Sequence, residues 1–235
     1  MEFFRRLHHI RAISFDLDDT LYDNRPVIER AEQWMVDYMR DTYLQTAMYD
    51  RAWWHRLKLQ LQQEHPELKE DVSLCRKEML LRGLVSGGMT QAEARGEAEK
   101  IFAMFLEVRS QVAVPTRTRE VLTALAQKYP LVVITNGNVL VERLGLDGHF
   151  QHILKAGGGF RMKPAADLFH TMSQRLGLPP QQILHVGDDV TTDVAGAVLN
   201  GYRSAWLNDV AQDWRSLKIL PDVMLTRLEQ LLTLL

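Results

Sequence analysis

The chain has 235 residues, 46% of them hydrophobic and 25% charged, with a formal net charge of -2. That length suits one large domain or a core carrying an inserted module, and the near-neutral balance gives no general attraction to nucleic acid or to a membrane surface. The single cysteine, Cys75, excludes an intrachain disulfide, favours a reducing compartment and reads as a small apolar helix residue rather than a nucleophile.

The opening "MEFFRRLHHIRA" has no uninterrupted apolar core, so no secretory signal is expected, and no uncharged run is long enough to span a bilayer. The expected location is cytoplasmic. A first strand lies within Ile10–Leu17, and it ends abruptly in Asp16, Asp18 and Asp19. Buried carboxylates crowd together only where something compensates their repulsion and desolvation.

Residues 24–110 hold long, charged segments with apolar residues near i, i+3 and i+4, which predicts an all-helical insert. Breaks are expected at Pro66 and at "SGGMT" (86–90), with Thr90 as an N-cap. Trp53, Trp54 and the methionines of this insert read as packing residues.

Beyond residue 110, "PLVVITNGN" (130–138) and "QILHVGDDV" (182–190) are short, β-branched runs of the kind found in buried parallel strands. Weaker strands are expected at His152–Ala156, Arg203–Leu207 and Val223–Leu225, and helices over 116–129, 165–178 and 191–202. "GGGF" (157–160) lacks the spacing of a phosphate loop and reads as a flexible connection. The C-terminal "LEQLLTLL" is expected to pack on its own core, and either a monomer or a homodimer is compatible with it. The expected fold is α/β, a Rossmann-like doubly wound parallel sheet formed by residues 1–22 and 110–235, with a helical insert at 23–109.

Four polar stretches fall at strand ends or helix starts, where open α/β sheets place their ligand crevice. They are Asp16-Leu17-Asp18-Asp19-Thr20, Thr135-Asn136-Gly137, Lys163-Pro164, and Gly187-Asp188-Asp189 with Asp193 following. Carboxylates from two strands need a counter-cation; oxygen-only ligands suit Mg²⁺, and no His/Cys spacing resembles a zinc site. A Mg²⁺ beside a carboxylate, a hydroxyl and a lysine describes a pocket for a phosphoryl group. With Pro164 as a first helical residue, Lys163 would stand near a helix N-terminus, where a cation is disfavoured unless it faces an anion. Asp189 and Asp193, four apart on a helix start, would repel each other without a cation or hydrogen-bond donors.

"DLDDT", "ITNG", "KP" and "GDDVTTD", in this order, resemble the four motifs of the haloacid dehalogenase-like (HAD) phosphatase superfamily, with residues 23–109 resembling its type-1 helical cap. The flanks "FDLDDTLYDNRP" and "HVGDDVTTDV" further resemble bacterial phosphatases that act on 5-amino-6-(5-phospho-D-ribitylamino)uracil in riboflavin and FMN biosynthesis. The resemblance implies a Mg²⁺-dependent phosphomonoesterase for a small phosphate ester, working through an aspartyl-phosphate. Asp16 would be the nucleophile and Asp18 the acid and base. Thr135, with backbone N–H groups around Leu17, Asp18 and Asn136, would hold the phosphoryl oxygens, and Lys163 would neutralise charge. Asp16, the Asp18 carbonyl and Asp188 would ligate the metal, and either Asp189 or Asp193 would orient the metal or Lys163. Tyr22, Asp23, Asn24 and Arg25 are the candidates for contacts near the leaving group. Three alternatives remain: a broad-specificity sugar phosphate and nucleotide (including FMN) phosphatase, a dehalogenase-type hydrolase, and a phospho-receiver-like signalling module. Asp18 and the Asp188 cluster speak against the second, and the helical insert and Asp18 against the third.

Overall fold

The computed structural model describes all 235 residues. Seven strands form one sheet: β1 (Glu2–Phe3), β2 (Ala12–Phe15), β3 (Leu131–Thr135), β4 (His152–Lys155), β5 (Ile183–Gly187), β6 (Arg203–Leu207) and β7 (Val223–Leu225). Their order is β1-β7-β6-β5-β2-β3-β4, and every neighbouring pair is parallel except β1 on β7. The chain therefore runs outward from β2 through β3 to β4, then returns to the other side of β2 to lay down β5, β6 and β7. This is the doubly wound arrangement, and β2 stands at its switch point, flanked by β3 and β5. Phe15 lies level with Val133 on one side and Val186 on the other, so the three central strands end nearly together. Strand β1 was not anticipated; its two residues are exposed and merely pair with the edge strand β7.

The helices are α1 (Arg25–Thr42), α2 (Arg51–Glu64), α3 (Val72–Ser86), α4 (Gln91–Arg109), α5 (Thr116–Ala126), α6 (Ala166–Leu176) and α7 (Gly196–Leu199). On one face of the sheet, Ala12, Val132, Ile134 and Ile183 pack with Leu168, Phe169 and Met172 of α6 and with Ala197 and Tyr202. The C-terminal segment turns through Leu228–Leu234 with Leu228 and Leu231 buried, as expected of packing on its own core. Lys128 Nζ and the Tyr129 hydroxyl donate to the Leu234 carbonyl at 2.7 and 2.8 Å.

Two expected helix starts differ. Helix α6 begins at Ala166, so Pro164 is not its first residue; Lys163 and Pro164, joined by a cis peptide bond, lie in a turn. The Asn136 side chain holds that turn, accepting from the Lys163 N–H at 2.7 Å and donating to the Lys163 carbonyl at 3.1 Å. The expected helix over 191–202 is a wide π-helical turn, Val190–Ala195, followed by the short α7. The N–H groups of Asp193 and Val194 both reach the Asp189 carbonyl, at 3.0 and 3.1 Å, which widens the first turn.

The chain divides into two compact units: Met1–Asp23 with Ala113–Gly137 and Leu144–Leu235, and Asn24–Val112 with Asn138–Arg143. The second unit is helical throughout α1–α4. Asp50 and Asp71 cap α2 and α3, and Thr90 with Glu93 forms a capping box on α4, each satisfying N–H groups that a helix start leaves bare. Met35, Met39, Trp54, Leu61, Leu80 and Phe105 are buried in its core, and Trp53 stacks on Tyr49 with ring centroids 3.7 Å apart. Cys75 is buried there, and burial pushes its thiol up from the ordinary value, which disfavours the thiolate. No helix is long and apolar enough to cross a membrane.

Candidate active site

Three of the four polar stretches converge through the sheet register. Asp16 follows β2 directly, Thr135 is the last residue of β3, and Asp188 follows β5. Lys163, from the turn before α6, completes the set: its Nζ donates to Asp16 Oδ1 at 2.7 Å, Asp193 Oδ1 at 2.6 Å and the Ile134 carbonyl at 2.8 Å. Asp16, Lys163 and Asp193 are all buried. Carboxylate oxygens of Asp16, Asp188 and Asp193 lie within 4.8 Å of one another.

Each acid has its own surroundings. Asp193 is saturated: Oδ1 accepts from Lys163 and His185, the latter at 3.1 Å, and Oδ2 accepts from the Asp189 N–H at 3.0 Å. Burial opposes its ionisation, yet Lys163 and His185 hold its carboxyl well below the usual range. Burial alone would lower the Lys163 ammonium, but the two facing carboxylates raise it, so the lysine stays charged. Burial lifts Asp16 to about 8, with Asp193 and Asp18 adding to the rise against Lys163. Asp188 is pushed up to about 7 by burial and by Asp193. Its Oδ1 accepts from Thr20 Oγ1 at 3.1 Å and its carbonyl from Trp206 Nε1 at 2.8 Å, so both ends of the residue are pinned.

The remaining oxygens, Asp16 Oδ2 and Asp188 Oδ2, have no protein donor. A buried carboxylate and a half-buried one, both disfavoured as anions and each with an open oxygen, fit a hard divalent cation such as Mg²⁺. Asp189 is exposed. Its Oδ1 caps the π-helical turn, accepting from the Thr191 and Thr192 N–H groups at 2.8 and 2.7 Å. The alternative left open between Asp189 and Asp193 thus divides: the first caps a turn, and the second anchors Lys163.

Asp18 stands on the other side of Asp16. The Tyr22 hydroxyl donates to Asp18 Oδ1, and a Cβ built at Gly137 would lie 2.5 Å from Asp18 Oδ2 and 3.4 Å from Thr135 Oγ1. Asp18, Gly137 and Thr135 therefore share one small volume. Thr135 Oγ1 accepts the Gly137 N–H at 3.1 Å, which leaves its hydroxyl hydrogen to donate. The Leu17 side chain is in the core, and its carbonyl closes the turn by accepting from the Leu21 N–H at 2.9 Å. Asn136 uses its side chain on Lys163. Asp19 has φ 56, a left-handed conformation that aspartate tolerates. Tyr22 orients Asp18, Asp23 is exposed, and Asn24 and Arg25 begin the helical unit.

Two participants were missed in the sequence. Ser14 and His185 sit inside β2 and β5, where Ser14 Oγ lies 2.6 Å from His185 Nδ1. Asp193 can only accept, and burial holds His185 below its ordinary pKa, so Nε2 carries the hydrogen and Nδ1 accepts from Ser14. The signal was a polar residue in each otherwise apolar strand, since buried polar groups need partners. Gly187 belongs to the same network: a Cβ there would fall 2.2 Å from the Asp193 carboxyl carbon.

A doubly wound sheet with paired acids at its switch point, a buried lysine and a strand-end hydroxyl defines a hydrolase of the α/β class with an acidic, cation-ready pocket. The haloacid dehalogenase-like hydrolase family model matches residues 10–201, and the chain belongs to that family. It is 37% identical over 238 residues to the 5-amino-6-(5-phospho-D-ribitylamino)uracil phosphatase YigB of Escherichia coli (strain K12), covering 100% of both chains. It is 30% identical to the phosphoglycolate phosphatase of Chromobacterium violaceum, over 81% of this chain and 82% of that one. Among solved structures, a 2-haloacid dehalogenase from Pseudomonas syringae pv. Tomato DC3000 superposes with a TM-score of 0.89 at 33% identity, covering 94% of this chain and 96% of that one.

Proposed function

We propose that the chain is a Mg²⁺-dependent phosphatase that hydrolyses a small phosphate monoester through an aspartyl-phosphate on Asp16. The observation that carries this reading is the convergence of Asp16, Asp188, Lys163 and Asp193, with two carboxylate oxygens left without donors. Asp16 and Asp188, with the Asp18 carbonyl, would hold Mg²⁺, which when bound supplies charge neutralisation on the phosphoryl oxygens.

Asp16 attacks phosphorus through a carboxylate oxygen, and the bond from phosphorus to the ester oxygen breaks. Asp18, steadied by Tyr22, gives its proton to the departing alcohol. In the second half Asp18 takes a proton from water, whose oxygen attacks phosphorus and releases Asp16 and inorganic phosphate. Lys163 keeps Asp16 oriented and Thr135 donates to a phosphoryl oxygen. Asp193 and His185 prevent Lys163 from swinging away.

The substrate we propose is 5-amino-6-(5-phospho-D-ribitylamino)uracil, in riboflavin and FMN biosynthesis, supported by full-length similarity to the Escherichia coli enzyme. The helical unit is the proposed cap domain. A panel of phosphate esters ranked by kcat/KM tests it. The pyrimidine ribityl phosphate should lead; parity with FMN or simple sugar phosphates would make the enzyme broad in specificity. The metal is tested without turnover: Mg²⁺ should raise Tm of the native chain and leave Asp188→Asn unchanged.

The similarity to a protein named 2-haloacid dehalogenase supports a second reading, in which Asp16 attacks carbon and displaces halide. Asp18 and Asp188 favour phosphate. Halide release that survives EDTA would favour the second reading, whereas phosphate release abolished by EDTA supports the first.

A further inference from the structure

Helices α1, α2 and α3 form a cavity of about 440 Å³ within the helical unit. Met35, Val36, Trp54 and Met79 give it an apolar lining, and Glu32, Arg51, Lys58 and Arg76 supply charge. Three cations face one carboxylate. Glu32 is held below its ordinary pKa: burial opposes ionisation, but Arg76 and Arg51 overcome it. It therefore stays an anion and is outnumbered.

Two polar groups lining this cavity are poorly served. The Arg76 side chain is 12% exposed, lies with its guanidinium 4.5 Å from the Phe105 ring centre, and meets Glu32 through a single contact at 3.3 Å. Its other terminal nitrogen reaches only the Met35 sulfur, at 3.8 Å, and a thioether is a weak acceptor. A planar fork suited to bidentate oxyanion binding is thus left with one long bond. The second group is Trp54, buried, whose indole N–H has no acceptor. The ring cannot readily turn to find one, because it lies against α3 where a Cβ on Gly83 would be 2.2 Å from it. A glycine inside a helix costs about 1 kcal/mol relative to alanine, so its presence under the indole is consistent with a fixed ring. Buried donors without partners call for an explanation, and an apolar cavity with a few convergent polar groups is the usual form of a small-molecule site.

We propose that the helical unit carries a small-molecule site of its own for an amphipathic anion. Its carboxylate or phosphoryl group pairs with Arg76, its apolar or aromatic body lies between Met35, Met79 and Trp54, and an acceptor on it reaches the indole N–H. This site stands independently of the phosphatase reading.

Calorimetry on the full chain tests it with two probes, indole-3-acetate and phenylphosphonate, which carry the same kind of body on a carboxylate and on a phosphoryl group. Turnover of p-nitrophenyl phosphate and thermal melting are followed in parallel, so loss of folding or of the phosphatase activity is recognised separately. Saturable binding of at least one probe is expected, weakened about tenfold or more by Arg76→Met, the equivalent of one charge-assisted hydrogen bond. Trp54→Phe keeps the ring and removes the donor, and should weaken binding about two- to tenfold; it decides the matter if Arg76→Met does not fold. Preference for one probe identifies the anion. No saturable binding, or binding that both folded variants retain at native affinity, overturns the proposal; so does binding abolished by Asp16→Asn and untouched by Trp54→Phe.

Discussion

The tips of the central strands and the interior of the helical unit treat buried charge in opposite ways. At the strand tips three carboxylates gather, two of them on one lysine: Asp193 takes three donors and Lys163 gives to three acceptors, while one oxygen each of Asp16 and Asp188 stays open. In the helical unit the largely buried Arg76 guanidinium has a single weak acidic partner and is surrounded by apolar packing. Excess negative charge in the first region implies a cation. Excess positive charge in the second implies an anion. The first region is built for bond making, with its donors fixed by backbone; the second is built mainly by burial, where many side chains share the load.

The sharpest break between the two is expected at Asp16. Asp16→Asn should lower phosphate release by about 10³-fold or more while the chain still folds, because a nucleophile is lost and a buried charge removed. Lys163→Met comes next. It removes the only cation between Asp16 and Asp193, and urea unfolding without added metal should show a loss of about 3–5 kcal/mol, as when one partner of a buried ion pair is deleted. In the helical unit, Leu80→Ala should cost about 2–5 kcal/mol by cavity formation yet leave kcat nearly unchanged in the folded enzyme. Equal damage to kcat from Leu80→Ala and from Asp16→Asn would erase the distinction.

Smaller effects sharpen it. Ser14→Ala removes one neutral hydrogen bond behind His185 and should cost about 1 kcal/mol by urea titration. The smallest concerns Asp167, held down to about 2 by the Arg161 side chain and backbone. Its folded pKa lies below the unfolded value, so the unfolded chain binds more protons between the two. The contribution is complete above about pH 4 to 5 and is lost as pH falls toward 2. Arg161→Gln should therefore lower Tm slightly at neutral pH, with the difference vanishing near pH 2; a constant difference across that range would reject the pairing.

What the sequence disclosed follows the same division. Asp16, Asp18, Asp188 and Asp193 stand within short runs beside apolar strands, where their charge is conspicuous. The sheet was legible because its central strands are short and rich in β-branched residues, as in Leu131, Val132, Val133, Ile134 and Thr135 of β3. Strand β1 was not, since two exposed residues on an edge carry no apolar pattern. The start of α6 was misplaced because proline's usual helix position gave way to the Asn136 clamp on Lys163, a contact 27 residues away in sequence. Asp189 and Asp193 looked equivalent by spacing, and only the widened turn separates a cap from an anchor. The cavity beside Arg76 left no trace, because charged residues at helical spacing are ordinary on any amphipathic helix.

The most direct test is to quench turnover of a phosphate ester in acid, reduce the protein with labelled borohydride, and map the label. A phosphoaspartate is converted to homoserine, so label is expected at residue 16 in the native chain and nowhere in Asp16→Asn. Steady turnover with residue 16 unlabelled, or with the label on another aspartate, would contradict a nucleophilic Asp16.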